Sequence, residues 1–182
     1  YSPWLSPPFS VALAEHREQA RLLKNAGADL LMVETMSCAT EAEAAVIAAR
    51  ETGLEVTVGF VLGEDGCLLS GESLAESVAR VDRHGVAAVL VNCSPAPVIA
   101  AALRELRMLT DRPIGGYANL GDAEATVGWT ADESVTGEEY ADAVAEWLDR
   151  GAQVVGGCCG TRPEHIASVR KLLEDRRGEV SW

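Results

Sequence analysis

From residue 11 onward the chain alternates between two hydrophobic rhythms. A helical pattern opens after Ser10, with Leu13, Ala20, Leu22 and Leu23 on one side and Glu15, Arg17, Glu18 and Lys24 on the other, and it stops near Gly27. Residues 29–34 (Asp-Leu-Leu-Met-Val-Glu) are then a short, almost wholly apolar run, the pattern of a strand buried on both faces. An Ala- and Glu-rich helix over 39–51 ends at Gly53. The unit recurs as strand 55–61, helix 73–84 closing at Gly85, strand 87–91, helix 98–109 and strand 113–117. After a long loop come helix 137–150 ending at Gly151, strand 152–155 and a last helix over about 163–175. Gly27, Gly53, Gly85 and Gly151 share one grammar: a polar helix end, a glycine suited to a left-handed cap, then a strand. The reading is five strands and six helices.

Strict alternation of apolar strands with amphipathic helices makes an α/β protein with a parallel sheet and right-handed crossovers. Two closures compete, an open doubly wound sheet and an eightfold barrel. No Gly-x-Gly-x-x-Gly follows any strand, which leaves the dinucleotide-binding version of the open sheet without support. A barrel takes eight strand-helix units and about 250 residues, so five units fit only as part of one. The sheet edges of such a part have to be covered or supplied with more chain. The sequence starts at Tyr1 in a Pro-rich stretch over 1–9 that reads as an extended connection, and the expectation is a fragment or a chain whose beginning is missing.

Composition narrows the function classes. At 182 residues and 48% hydrophobic content the chain can bury one sizeable core. No run approaches the ~18 apolar residues of a membrane span, so no membrane partner is expected. Against 15 basic residues stand 28 acidic ones, a net charge of −13, which repels phosphate backbones and anionic lipid and argues against nucleic acid. Five cysteines is an odd count, two are adjacent, and no signal segment precedes them. That usage fits a reducing cytoplasm, with free thiols or metal ligands rather than a disulfide scaffold.

In a parallel α/β architecture reactive groups belong at the carboxyl ends of the strands. There the sequence places Glu34-Thr35, Asn92-Cys93-Ser94-Pro95, Tyr117-Ala118-Asn119 and Gly156-Gly157-Cys158-Cys159-Gly160-Thr161. Cys93, Cys158 and Cys159 therefore share one end of the sheet, and three thiolates with one open position are a plausible Zn²⁺ site. Adjacent cysteines pair poorly with each other, because a disulfide wants Cα atoms ~4.4–6.8 Å apart and consecutive ones lie about 3.8 Å apart. From spacing alone, three buried thiols acting as small hydrophobes fit equally well.

Gly156-Gly-Cys-Cys-Gly-Thr161 with Pro163-Glu-His165-Ile, Val91-Asn-Cys-Ser94 and Ala28-Asp-Leu-Leu-Met-Val-Glu-Thr35 resembles the zinc-dependent homocysteine S-methyltransferase family. The resemblance runs over essentially the whole chain and implies a (β/α)8 TIM barrel of which only the C-terminal five strands are present. Residues 1–182 would then be a single partial barrel domain. It implies Zn²⁺ held by Cys93, Cys158 and Cys159, and Glu34 near the amino group of homocysteine. It also implies substrate contacts from Tyr117 and Asn119, where Ala118 departs from the family's Tyr-Pro-Asn, and Asn92, beside the first ligand, is expected with them among the substrate-binding residues. The family's opening Gly-rich strand has no match here, nor do strands two and three.

The activity so implied is methyl transfer from an onium donor (S-methylmethionine, S-adenosylmethionine or betaine) to homocysteine, giving methionine. A metal-bound thiol is deprotonated at neutral pH, which makes the nucleophile without a side-chain base. The alternative is a truncated, catalytically inactive fragment that binds zinc or a partner, with self-association through open barrel edges.

Several residues carry a plainer reading. Glu34 could cap the helix that follows it, and Asn92 and Asn119 could bind loop backbone. Thr161 and Pro163 fit a helix start, with His165 contacting the double-cysteine loop. Cys38 and Cys67 lack a partner at ligand spacing and read as bystanders. The loop over 120–135 is long for a strand-helix connection, the kind that often serves as a lid, although its Trp129 reads first as a packing residue.

Overall fold

Helix termini and apolar strands fall close to where the sequence pattern puts them. The computed structural model describes residues 3–122, 130–132 and 134–179. Trp129, in the long loop, lies outside the described residues. After a short 3-10 turn at Pro3–Leu5 come α1 (Phe9–Asn25), β1 (Leu30–Met36), α2 (Ala39–Glu51), β2 (Glu55–Phe60), α3 (Leu74–Asp82), β3 (Ala88–Asn92), α4 (Ala96–Leu109) and β4 (Ile114–Tyr117). Then follow β5 (Gly121–Asp122), β6 (Thr130–Ala131), α5 (Gly137–Asp149), β7 (Val154–Val155) and α6 (Pro163–Glu179). β1, β2, β3, β4 and β7 form one all-parallel sheet in that order, and β5 pairs with β6 as a separate antiparallel ribbon. Strand order follows chain order, each crossover carries a helix, and no strand reverses direction in the main sheet. This is the α/β progression of a barrel wall rather than a doubly wound sheet with its order reversal.

The core lies between the sheet and its helices. Leu31 and Val33, Val56, Val58 and Phe60, Val89 and Val91, and Ile114 point outward onto the helix layer, where Val46, Val78, Leu103, Leu106 and Trp147 meet them. Trp147 is wholly buried, and its indole N–H donates to the Ala96 carbonyl at 3.2 Å, which ties α5 to the start of α4. The capping boxes Ser73/Glu76 and Thr136/Glu139 fix where α3 and α5 begin.

The alternate residues face the other way. Ala88, Leu90 and Tyr117 form a second, smaller cluster with Val154 and Cys158 on the inner face of the sheet. At the β1 end this face is open: Leu30 and Met32 are 47% and 45% exposed, so β1 is buried on one side only. The two-sided burial expected for residues 29–34 is therefore corrected. The run is apolar on both faces, but nothing among the described residues covers the inner face at that edge. Leu22 and Leu23 of α1 also stand about half exposed, and a cavity of about 280 Å³ opens between α1, α2 and β1, lined by His16, Leu23, Met32 and Glu34. No helix among the described residues is long and apolar enough to cross a membrane.

Candidate metal and substrate site

At the carboxyl end of the sheet the chain does not simply turn away. Past the last paired residues, backbone hydrogen bonds continue the ladder into the loops. Cys93 N–H donates to Tyr117 O at 3.0 Å, Cys158 N–H to Ala118 O at 3.1 Å, and Leu120 N–H to Cys159 O at 2.8 Å. The segment from Tyr117 to Leu120 is thus a spine to which all three cysteines are bound through their main chains. Asn119 N–H adds a bond to Ser94 O at 3.2 Å, and the buried Ser94 hydroxyl accepts from Leu62 N–H at 2.8 Å, which extends the same lattice to β2. Two residues without glycine's freedom take left-handed backbone here, Thr35 at φ 60° and Cys93 at φ 53°. For a β-branched residue such as Thr35 that conformation is strained and needs outside support.

The support comes from Asn92. Its Oδ1 accepts from Thr35 N–H at 3.1 Å and its Nδ2 donates to Thr35 Oγ1 at 2.6 Å, and the side chain is fully buried. Of the two roles open to Asn92 in the sequence, the observed contacts are those of a loop-backbone anchor. Space for it depends on Gly59, where an added Cβ would come 2.5 Å from Asn92 Oδ1 and 3.4 Å from the Tyr117 hydroxyl.

The three sulfurs converge. Those of Cys93, Cys158 and Cys159 all lie within 4.8 Å of one another, and Cys93 Sγ stands 3.6 Å from Cys159 Sγ. Tetrahedral coordination with Zn–S near ~2.3 Å spaces sulfurs about 3.8 Å apart, so this donor set fits such an ion. Contrary to the expectation of free thiols, Cys93 and Cys158 are joined as a disulfide, with Cα atoms 5.6 Å apart across 65 residues of sequence. The pairing is possible because β3 and β7 flank β4 and both strand ends lean on its spine. Only after reduction are all three sulfurs free for a metal. Cys159 is exposed and unpaired, and Cys38 and Cys67 stand outside the cluster.

Glu34 and Tyr117 reach each other across the inner face. The Tyr117 phenol donates to Met32 Sδ at 3.3 Å, with the Glu34 carboxylate close enough to act on its proton. Burial, and then that negative partner, push the Tyr117 hydroxyl far above its ordinary range, so it acts as a donor. Glu34 itself is exposed on the open face, and capping of α2 falls instead to Glu72, whose Oε2 accepts from Ala39 N–H at 2.8 Å and from the Ser70 hydroxyl at 2.7 Å. Glu72 was not singled out by pattern, and Thr35 and Ser94 carried a signal only through their places beside Glu34 and Cys93 in the quoted motifs. At the double-cysteine loop, Thr161 Oγ1 donates to Cys158 O at 2.6 Å. His165, 3% exposed, accepts from Arg162 N–H through Nδ1 at 2.9 Å and meets Val135 O through Nε2 at 3.0 Å, which pins the start of α6 to the loop before α5.

A family model described as homocysteine S-methyltransferase matches residues 2–173. The chain belongs to that family. Among homocysteine S-methyltransferases it is 32% identical to "Homocysteine S-methyltransferase 3" of Arabidopsis thaliana over 171 residues, 91% of this chain and 49% of the relative. It is 33% identical to "Homocysteine S-methyltransferase YbgG" of Bacillus subtilis (strain 168), over 85% of this chain and 50% of that one. The chain thus spans about half the length of the curated homocysteine S-methyltransferases it matches. A solved structure titled as the metallated form of the homocysteine methyltransferase MmuM from Escherichia coli superposes with a TM-score of 0.75 at 28% identity, over 91% of this chain and 52% of that one. The five parallel strands accordingly correspond to part of a homocysteine S-methyltransferase TIM barrel.

Proposed function

We propose that the chain carries the metal-binding and part of the substrate-binding wall of a zinc-dependent homocysteine S-methyltransferase. The observation that carries this reading is the convergence of the Cys93, Cys158 and Cys159 sulfurs from two strand ends onto one point. Once reduced, those residues would hold Zn²⁺, which when bound supplies an acidic centre that deprotonates a coordinating thiol such as that of homocysteine. The protein's part is then placement. Glu34, exposed on the inner face beside the Tyr117 phenol, pairs with the substrate ammonium, and Asn119 lies on the same rim. Asn92 serves the site by holding Thr35. The donor is an onium compound such as S-methylmethionine, S-adenosylmethionine or betaine, the product methionine, and a reducing cytoplasm keeps the thiols competent. The partial barrel over residues 1–182 presents its β1 and β7 edges for closure, by further barrel units or by a second copy.

The reduced chain is expected to hold about one zinc by elemental analysis, as a single closed thiolate site does. Folded, reduced protein that retains none after zinc loading and desalting sinks the reading. Glu34→Ala is expected to leave zinc content intact while weakening homocysteine binding, measured calorimetrically on zinc-loaded protein, by about 10- to 100-fold, the worth of a hydrogen bond to a charged group. Unchanged binding would remove Glu34 from the substrate site. The second reading, a zinc- or partner-binding segment that catalyses nothing, is favoured by the open inner face at Leu30 and Met32. Zinc uptake without methyl transfer, with a sedimentation mass above 19.2 kDa, would select it.

A further inference from the structure

β4 and β7 are paired only at Gly115↔Val154 and Gly116↔Val155, after which the two strands part. Ala118 N–H and Gly156 C=O sit in that fork. Ala118 is fully buried, so its N–H has no access to water. The group that fills the fork is the Tyr140 hydroxyl, from the first turn of α5. It accepts from Ala118 N–H at 3.1 Å and donates to Gly156 O at 2.7 Å. One oxygen thus replaces a rung of the ladder and sets how far the strand ends stand apart. The ring is held in place on two sides, edge-on to Trp147 at 6.0 Å and to His165 at 5.7 Å between ring centres. Burial pushes the phenol up to about 12, so the hydroxyl keeps the proton it donates.

The position of this rung is what gives it a consequence. Ala118 O receives Cys158 N–H, Tyr117 O receives Cys93 N–H, and Gly156 lies two residues before Cys158. Resting on the metal reading above, we propose that Tyr140 is a positioning residue for the three-cysteine cluster: its hydroxyl fixes the gap between the β4 spine and the β7 strand end, and with it the separation of Cys93 from Cys158 and Cys159. It touches neither metal nor substrate. Its effect passes through two backbone groups.

The test is Tyr140→Phe in the reduced chain, with Co²⁺ as the probe. The ring and its packing stay, and only the hydroxyl goes. Co²⁺ affinity, read by competition with a chromophoric chelator, is expected to fall about 10- to 100-fold, as for other groups that orient ligands from behind. The sulfur-to-cobalt absorption bands should shift, while helical circular dichroism stays that of the parent. A lower unfolding midpoint with unchanged affinity and bands in the folded protein would mean a purely structural role and would overturn the proposal. If the parent itself binds no Co²⁺, the metal reading fails separately. The clamp is then read from the Cys93–Cys158 pair, whose exchange with glutathione disulfide (two thiols oxidised, two glutathiones released) should have a several-fold smaller equilibrium constant in Tyr140→Phe. An equal constant overturns the proposal. Should Tyr140→Phe fold poorly, Tyr140→Met, which fills the site with a flexible apolar side chain and also lacks the hydroxyl, carries the same measurements.

Discussion

Replacing Cys93 by Ser is expected to strip the reduced protein of most of its zinc, with affinity down by more than about 100-fold, beyond what loss of a merely orienting group costs. Serine is nearly isosteric and keeps the main-chain bond to Tyr117 O, so the strand end should not move. What changes is the donor: an alcohol stays protonated where a thiol beside a metal is ionised. Two thiolates remain, both on the same loop, and two adjacent ligands do not close a tetrahedral site. Cys93 is 5% exposed, so water cannot readily take the place of its sulfur. Cys38→Ser and Cys67→Ser, outside the cluster, are the controls and should bind as the parent does. Zinc held equally tightly by Cys93→Ser would show that the sulfurs converge for some other reason.

The largest structural effect is expected at a residue with no chemistry. At Gly115 an added Cβ would stand 1.9 Å from Val154 O and 2.7 Å from Val154 C. Both are backbone atoms of the neighbouring strand, which no rotamer change can move aside. Gly115→Ala therefore has to push β7 off β4 and strain the backbone bonds that dock it, among them Gln153 N–H to Ile114 O and Cys158 N–H to Ala118 O. A loss of about 3 kcal/mol, the upper part of the usual range for overpacking, is expected from urea unfolding. Titration of thiols after mild oxidation should find Cys93 and Cys158 no longer paired, because their bond presupposes that β7 is docked. Parent-like stability and parent-like pairing would mean that β7 can shift along β4 at little cost.

What the sequence reveals about this molecule depends on distance along the chain. Helix ends and strand starts were legible because each is a local device, such as Gly27, Gly53, Gly85 and Gly151 at positive φ. The double-cysteine loop and Cys93 were legible as a motif, and strand polarity put them at one end of the sheet. The one-sided exposure of β1 was not, because Leu30 and Met32 carry the composition of a covered face and the cover is absent among the described residues. The pairing of Cys93 with Cys158 was not either. It joins residues 65 apart, and an odd cysteine count without a signal segment pointed to free thiols. Glu72 and Tyr140 were silent for a related reason: an ordinary carboxylate and an ordinary phenol acquire their roles only when the loops 33 and 22 residues away arrive beside them.

The backbone spine from Tyr117 to Leu120 has a consequence in time as well as in space. Cys93 reaches its bond to Tyr117 once β3 and β4 are side by side, a short-range event in the chain. Cys158 and Cys159 reach theirs only after α5 has packed and β7 has returned to the sheet edge. The cluster is therefore complete only once β7 has docked, because its two halves lie 65 residues apart in the chain. A metal taken up by all three sulfurs would register completion of the whole wall, and its release at rising denaturant would mark the first piece to leave.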